Sequence, residues 1–375
     1  MTPRERMLTI LKAEQPDQVP WFGDLDYWAS ARIGRKEVPE DFRKYDAYLD
    51  WHRELGIGFY LQGYFPFTTI IENCNVKEWQ EGNRKYREIA TPEGTLRECW
   101  LYLPESFCEA PVEHLLKSVE DLSAMRYIYE NTRYEPDYAF AQQRLKQVGE
   151  MGVVLCYLPK SPFMQLVALE AGIENLTFIA LNAPDEFAET IEVMTQAHNK
   201  AAQIAVDSPA EVLMIPENLS AEMVGPRFFE RFMRGYQEEW IEKIAAVGKY
   251  SFIHMDGTLR GLLREECSTN ISVLEALTPK PVGDLGVREW ADFVGDSKTI
   301  LWGGVPGVYF TGLVNDEEFG RHVKEVLDVM RKEPRYVLGV ADQVPPDGLT
   351  RIFFPYSSRR FSTVSKIVVM FSSRT

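Results

Sequence analysis

Short apolar runs rich in Val, Ile, Leu and aromatic residues recur along the chain at 19–25, 58–61, 153–158, 212–215, 251–253, 271–274, 299–302 and 336–340. Runs this short, with little polar alternation, read as strands buried on both faces. Several intervening segments, such as 184–205 and 226–247, instead space their apolar residues as amphipathic helices. Strands alternating with helices predict a parallel sheet covered on both sides, and eight such units predict an α/β fold of the (β/α)8 TIM barrel type. An open doubly wound sheet is the alternative. No Gly-x-Gly-x-x-Gly follows the first strand, so a dinucleotide-binding sheet is not supported. A helix is expected at the start, with Thr2 as cap, Pro3 in the first turn and Glu5 completing a capping box ahead of Met7, Leu8, Ile10 and Leu11.

The strand–helix rhythm breaks over 66–146, between the second and third strands. Within it, Pro92-Glu93-Gly94 is a turn signal between two extended arms, the second over 96–103, so a β-hairpin is predicted. The stretch 121–146 reads as largely helical. An insertion of this length at a barrel rim often covers or shapes the pocket, and an outward-facing excursion with no role there is the alternative. The expected organisation is one barrel domain over 1–352 and an atypical tail over 353–375. The tail holds Arg359, Arg360, Lys366 and Arg374 and no carboxylate, and a frayed end and an added edge strand are both open for it.

Lys and Arg total 41 against 56 Asp and Glu, a formal charge of −15. That balance argues against bulk nucleic-acid binding and against anionic membranes. It leaves room for a small-molecule substrate held by local groups. The five cysteines form no Cys-x-x-Cys and no framework pattern. The opening residues Met1 to Arg6 lack an apolar signal region, and no apolar run is long enough to span a bilayer. A cytoplasmic protein is expected.

Chemistry in such folds sits where the strands end. His254 and Asp256 close the 251–253 run and, two residues apart on a strand, share a face. Asp24 and Asp26 end the first strand, Gln62 the second, Glu217 and Asn218 the fourth, Glu275 the sixth, and Asp342 and Gln343 the eighth. The candidates for proton transfer are Asp24, Asp26 and Asp256. Trp21, Tyr27, Gln62, Asn218, Glu275 and Gln343 are candidate substrate contacts, with Trp28, Tyr60 and Tyr64 as further aromatic wall. His254, Glu217 and Asp342, with Asp256 near them, form a donor set for a divalent metal such as zinc or manganese. Without a metal, the same acids can move protons. Gly303-Gly304-Val305-Pro306-Gly307 is not a Walker loop, since no Gly-Lys-Ser/Thr follows.

These stretches together resemble the uroporphyrinogen decarboxylase superfamily, which includes zinc-dependent corrinoid methyltransferases. The residues that carry the resemblance are Thr2-Pro3-Arg4-Glu5-Arg6, Thr91-Pro92-Glu93-Gly94-Thr95, Glu217-Asn218, His254-Met255-Asp256-Gly257, Glu275-Ala276-Leu277-Thr278-Pro279 and Gly303-Gly304-Val305-Pro306. The resemblance extends to residue 352 and implies a (β/α)8 barrel with its pocket at the strand C-terminal rim. It further implies methyl transfer on a small methylated substrate, with zinc and a corrinoid, the latter carried by a partner protein. A metal-independent decarboxylase or lyase, or a barrel that only binds a small molecule, is the alternative. The sequence departs from those methyltransferases at two thiolate positions, where it has Asp256 and Asp342. It departs from the decarboxylases in its first strand-end loop, which is acidic and aromatic (Trp21 to Trp28) rather than arginine-rich.

Overall fold

The computed structural model describes residues 1–60 and 64–350; the expected tail and Gln62 lie outside the described residues. Helix α1 (Pro3–Leu11) opens the chain, with both arms of the capping box formed between Thr2 and Glu5. Strand β1 (Trp21–Asp24), helices α2 (Asp26–Gly34) and α3 (Asp46–Leu55) and strand β2 (Phe59–Tyr60) follow. Six strands then form an excursion: β3 (Phe67–Ile71), β4 (Asn75–Glu81), β5 (Arg84–Thr91), β6 (Gly94–Leu103), β7 (Cys108–Glu113) and, after α4 (Leu122–Glu130), β8 (Thr132–Pro136). Helix α5 (Ala139–Val148) leads to β9 (Gly152–Val153) and β10 (Leu155–Tyr157). The chain continues through α6 (Pro162–Gln165), α7 (Gly172–Asn182), α8 (Pro184–Asp207), β11 (Val212–Leu219), α9 (Gly225–Phe232), α10 (Arg234–Ala246) and β12 (Tyr250–Met255). It ends with α11 (Leu263–Cys267), β13 (Val273–Leu277), α12 (Val287–Val294), β14 (Ile300–Pro306), α13 (Asp316–Met330) and β15 (Tyr336–Gln343).

Seven strands form one parallel sheet in the order β1-β15-β14-β13-β12-β11-β10, and it curls around an apolar centre. Between its edges stands the parallel pair β2–β9. The amide of Gly58, just before β2, donates to the Trp21 carbonyl of β1 (3.0 Å), and β9 runs into β10 after Val154 alone. The concave face holds Phe22, Tyr60, Leu155, Met214, Phe252, Val273, Trp302 and Val337. Trp302 lies at the middle, with ring centroids 4.6 Å from Tyr60, 5.5 Å from Phe22 and 5.6 Å from Phe252. Gly339 on the neighbouring strand makes room for it, since a Cβ there would overlap the indole. Met7, Ile10 and Leu11 of α1 pack into the same cluster. Arg4 bonds the Gly152 carbonyl (2.8 Å) and Glu211, both at strand starts, so α1 covers the N-terminal end. The convex face packs under the helices in a second, larger cluster.

The excursion contains the predicted hairpin, β5 against β6, inside the antiparallel sheet β4-β5-β6-β7. The stretch 121–146 is largely helical, as expected, in α4 and α5, but β8 stands between them. Thr132 and Tyr134 favour extended backbone, β3 offers a free edge that they pair with, and Pro136 cannot continue a helix. Among the described residues, no helix is long and apolar enough to cross a membrane.

Candidate functional site

Alternation along the parallel strands decides which side chains reach the concave face at the rim. In β12, Phe252 faces the lumen while Ile253 and Met255 face the helices, so His254 points inward. In β13 the same rule turns Glu275 inward beside Val273. The two are direct partners in the β12–β13 register, and His254 Nδ1 lies 2.6 Å from Glu275 Oε2. Tyr60, reaching in from β2, donates its hydroxyl to Glu275 Oε1 at 2.9 Å. Glu275 is fully buried, and both its oxygens are thereby engaged. A carboxylate only accepts, so Nδ1 carries a proton. His254 Nε2 lies 3.6 Å from Asp342 Oδ1.

Burial pushes the pKa of His254 down. The Glu275 carboxylate against the ring, with Asp256 and Asp342 nearby, outweighs burial and lifts it to about 9. At neutral pH the ring is an imidazolium with a proton on Nε2. Asp342 keeps 55% of its side-chain surface. Burial pushes its carboxyl up, His254 pulls it down, Asp256 and Glu275 push it up, and the net is a rise. Asp24, 5% exposed, belongs to the same group. Burial raises its carboxyl well above the ordinary value, aided by Asp26, Glu275 and Asp342. Its Oδ1 accepts the Asp26 amide at 2.7 Å. The rim backbone is strained as well: Asn218, Ala276 and Asp342, each the penultimate residue of its strand, have φ of 53°, 74° and 69°. Left-handed backbone at such residues costs about 1–3 kcal/mol each and concentrates at functional sites.

His254, Glu275, Asp24, Asp342 and Asp256 therefore come together. Other expected site residues do not. Glu217 stands on the opposite face of its strand. The β11–β12 register pairs Ile215 with Ile253 and, after an irregularity, Leu219 with Met255; Glu217, two residues past the outward-packed Ile215, turns toward the helices. There its Oε2 accepts the Ser161 amide and hydroxyl, both at 3.1 Å, and its Oε1 accepts Gln237 Nε2 at 3.3 Å. Among the described residues no group of three or more His, Cys, Asp or Glu side chains is placed to hold a metal ion. The donor set His254, Glu217 and Asp342 does not fit a zinc centre: Nδ1 is held by Glu275, Glu217 points away, and no thiolate stands at Asp256 or Asp342. Asp26 is turned to Arg43, which also bonds its carbonyl oxygen at 2.7 Å. Trp21 alternates outward and stacks on Phe310 at 6.5 Å. Tyr27 lies beside Cys108 and Ser106 of the excursion, and burial, then Cys108, push its hydroxyl up to about 12. Asn218 is exposed at the rim, and Gln343 is part-buried beside Asp24.

Two participants escape a reading by residue type. Tyr60 looks like aromatic wall, yet its hydroxyl orients Glu275; the two-residue strand gives no alternation from which to see its direction. Lys160 follows β10 and bonds the Pro216 carbonyl. Burial holds its pKa down at about 8, against Glu217 and Asp256. The strand-end rule applied to the third apolar run would have pointed to it.

No curated protein matched the sequence. A solved structure, a methyltransferase from Methanosarcina mazei, is similar with a TM-score of 0.59 and 14% sequence identity, covering 93% of this chain and 95% of that one; the likeness is one of fold. The family model for uroporphyrinogen decarboxylase matches residues 109–348, the segment that carries β10 to β15 together with His254, Glu275 and Asp342. With more than half of its length matched, this chain belongs to the uroporphyrinogen decarboxylase family.

Proposed function

We propose that this protein is a methyltransferase acting on a small methylated molecule, with His254 as the acid that protonates the leaving group. The same reading takes the β2–β9 pair as the seam closing a (β/α)8 barrel, with the pocket at its mouth. The observation that carries the proposal is the Tyr60–Glu275–His254 chain, which fixes an imidazolium at the rim with its Nε2 proton free to leave. When a methyl–oxygen bond breaks, the electron pair stays on oxygen, and that oxygen must take a proton. His254 Nε2 supplies it at the moment of cleavage, and such a group typically contributes about 10²–10⁴-fold. Glu275 holds the ring's orientation and balances its charge, while Asp342 beside Nε2 places the substrate oxygen against the proton. A reduced corrinoid, free or carried on a partner protein, is the expected methyl acceptor and supplies the nucleophile when bound. Carboxylates where thiolates would activate a sulfur favour oxygen-linked over thiol substrates.

The test is incubation with cob(I)alamin and a panel of methoxylated and methylamine donors, followed by the absorbance of methylcobalamin. Product is expected from a methoxylated donor and at least a hundredfold less from His254→Gln. No methylcobalamin from any donor overturns the proposal.

A further inference from the structure

Away from the rim there is a half-open cavity, of about 420 Å³, between the excursion and the α4 and α8 side of the sheet. It is the size of small-molecule sites. Its wall is apolar and aromatic, with Phe67 and Tyr134 from the β3–β8 pair and Met125 and Ile128 from α4. At its floor stands Glu170, a carboxyl group 91% removed from solvent on the residue's own 9% exposure. Its Oε1 accepts from the Tyr129 hydroxyl at 2.5 Å and from Gln165 Nε2 at 3.1 Å. Its Oε2 has no hydrogen-bond partner among the described residues. An unpaired buried carboxylate oxygen is costly, and natural proteins rarely leave one without use.

The placement of Glu170 is built into the chain. Residues Leu166–Glu170 form a π-helical turn, a widened turn often found at functional sites. His114 of the excursion clamps it, with Nδ1 2.9 Å from the Leu169 carbonyl. Gly172 leaves space for that ring: a Cβ there would lie 2.9 Å from His114 Nε2, and its φ of +72° suits glycine.

Charge decides what can enter. Two cations line the cavity, and each has a partner: Arg87 bonds Glu98 at 2.6 Å, and Lys160 bonds the Pro216 carbonyl. His198 bonds the Lys160 carbonyl through Nδ1 at 2.9 Å. What lacks a partner is an acceptor. A carboxylate beneath aromatic walls recognises an organic ammonium, whose N–H reaches oxygen while its body and charge lie against the rings. We infer that this cavity is a binding site for a small primary amine with an aromatic or aliphatic body, with Glu170 Oε2 receiving its ammonium. The cavity has Lys160 on its wall but none of the groups that hold His254, and it does not rest on the reaction proposed there.

The test is calorimetric titration of the full chain with benzylamine, with phenylacetate as the probe of opposite charge. Saturable benzylamine binding is expected, at least tenfold weaker in Glu170→Gln, which keeps the shape and removes the charge. Thr69→Trp, an exposed residue at the cavity edge, fills the space without touching the core and is expected to abolish binding. Circular dichroism and the urea midpoint confirm that both variants fold. Absence of benzylamine binding, equal affinity in Glu170→Gln, or preference for phenylacetate each overturns the inference.

Discussion

Replacing Glu275 by Gln keeps an acceptor for Tyr60 but removes the negative charge that holds His254 protonated. Burial is then the main influence on the ring, and the pKa of His254 is expected to fall from about 9 to below its ordinary 6.5. Two-dimensional NMR titration of the imidazole checks this, and a variant ring still titrating near about 9 would contradict the assignment. The sign for stability follows. A histidine with a raised folded pKa stabilises fully below about 6.5, and that share is lost as pH rises through about 9. Glu266 gives a second pH dependence. It is fully buried and shares Gln237 Nε2 with Glu217; burial, then Glu217, lift its pKa to about 8 against Gln237 and Arg234. The folded state therefore holds this proton more tightly than the unfolded chain, and stability falls as pH climbs from about 4.5 to about 8. Glu266→Gln is expected to flatten that slope, read from urea midpoints at each end of the window. The sequence made His254, Glu275, Asp24 and Asp342 visible, because each is a polar residue at the end of an apolar run. It did not reveal that Glu217 points away, because the 212–215 run is buried on both faces and its composition marks neither as inner.

At the level of elements, contact between β14 and β15 is set by a size match between Trp302 and Gly339. Gly339→Ala would press a methyl into the indole and is expected to cost about 1–3 kcal/mol in a urea melt. In a Trp302→Phe background the same substitution should cost less, and a double-mutant cycle would return a coupling of about 0.5–3 kcal/mol. Equal cost in both backgrounds would mean that Trp302 is not what the added methyl meets. The strands themselves were legible: all eight apolar runs contain a strand of the parallel arrangement. Strand β8 was not, because five residues with a single apolar aromatic between polar neighbours carry little signal without the β3 edge that recruits them. The hairpin between β5 and β6 was plain from Pro92-Glu93-Gly94, since turn chemistry is local while pairing is not.

Over the whole molecule, a parallel arrangement followed from the alternation of strands and helices, but what stands between the edges of the sheet could not be read from it. There stands the pair of β2 and β9, two residues each, where a Cβ on Gly152 would overlap the Phe59 carbonyl. Gly152→Val is therefore expected to destabilise the whole chain rather than one strand. The loss should be at least about 2–3 kcal/mol, with a single cooperative transition shifted to lower urea. An unchanged midpoint would show that the pair is dispensable. Trp302 and its aromatic neighbours bear on traffic as well as packing. They fill the axis of the curled sheet, and α1 stoppers its far end. On the proposed barrel closure, the cup beneath His254 is blind, so everything that reaches the imidazole arrives and leaves by one doorway. Two reactants sharing one doorway must queue. A bulky second reactant, once seated over the opening, would imprison a small first one, and the order of binding becomes a property of the architecture.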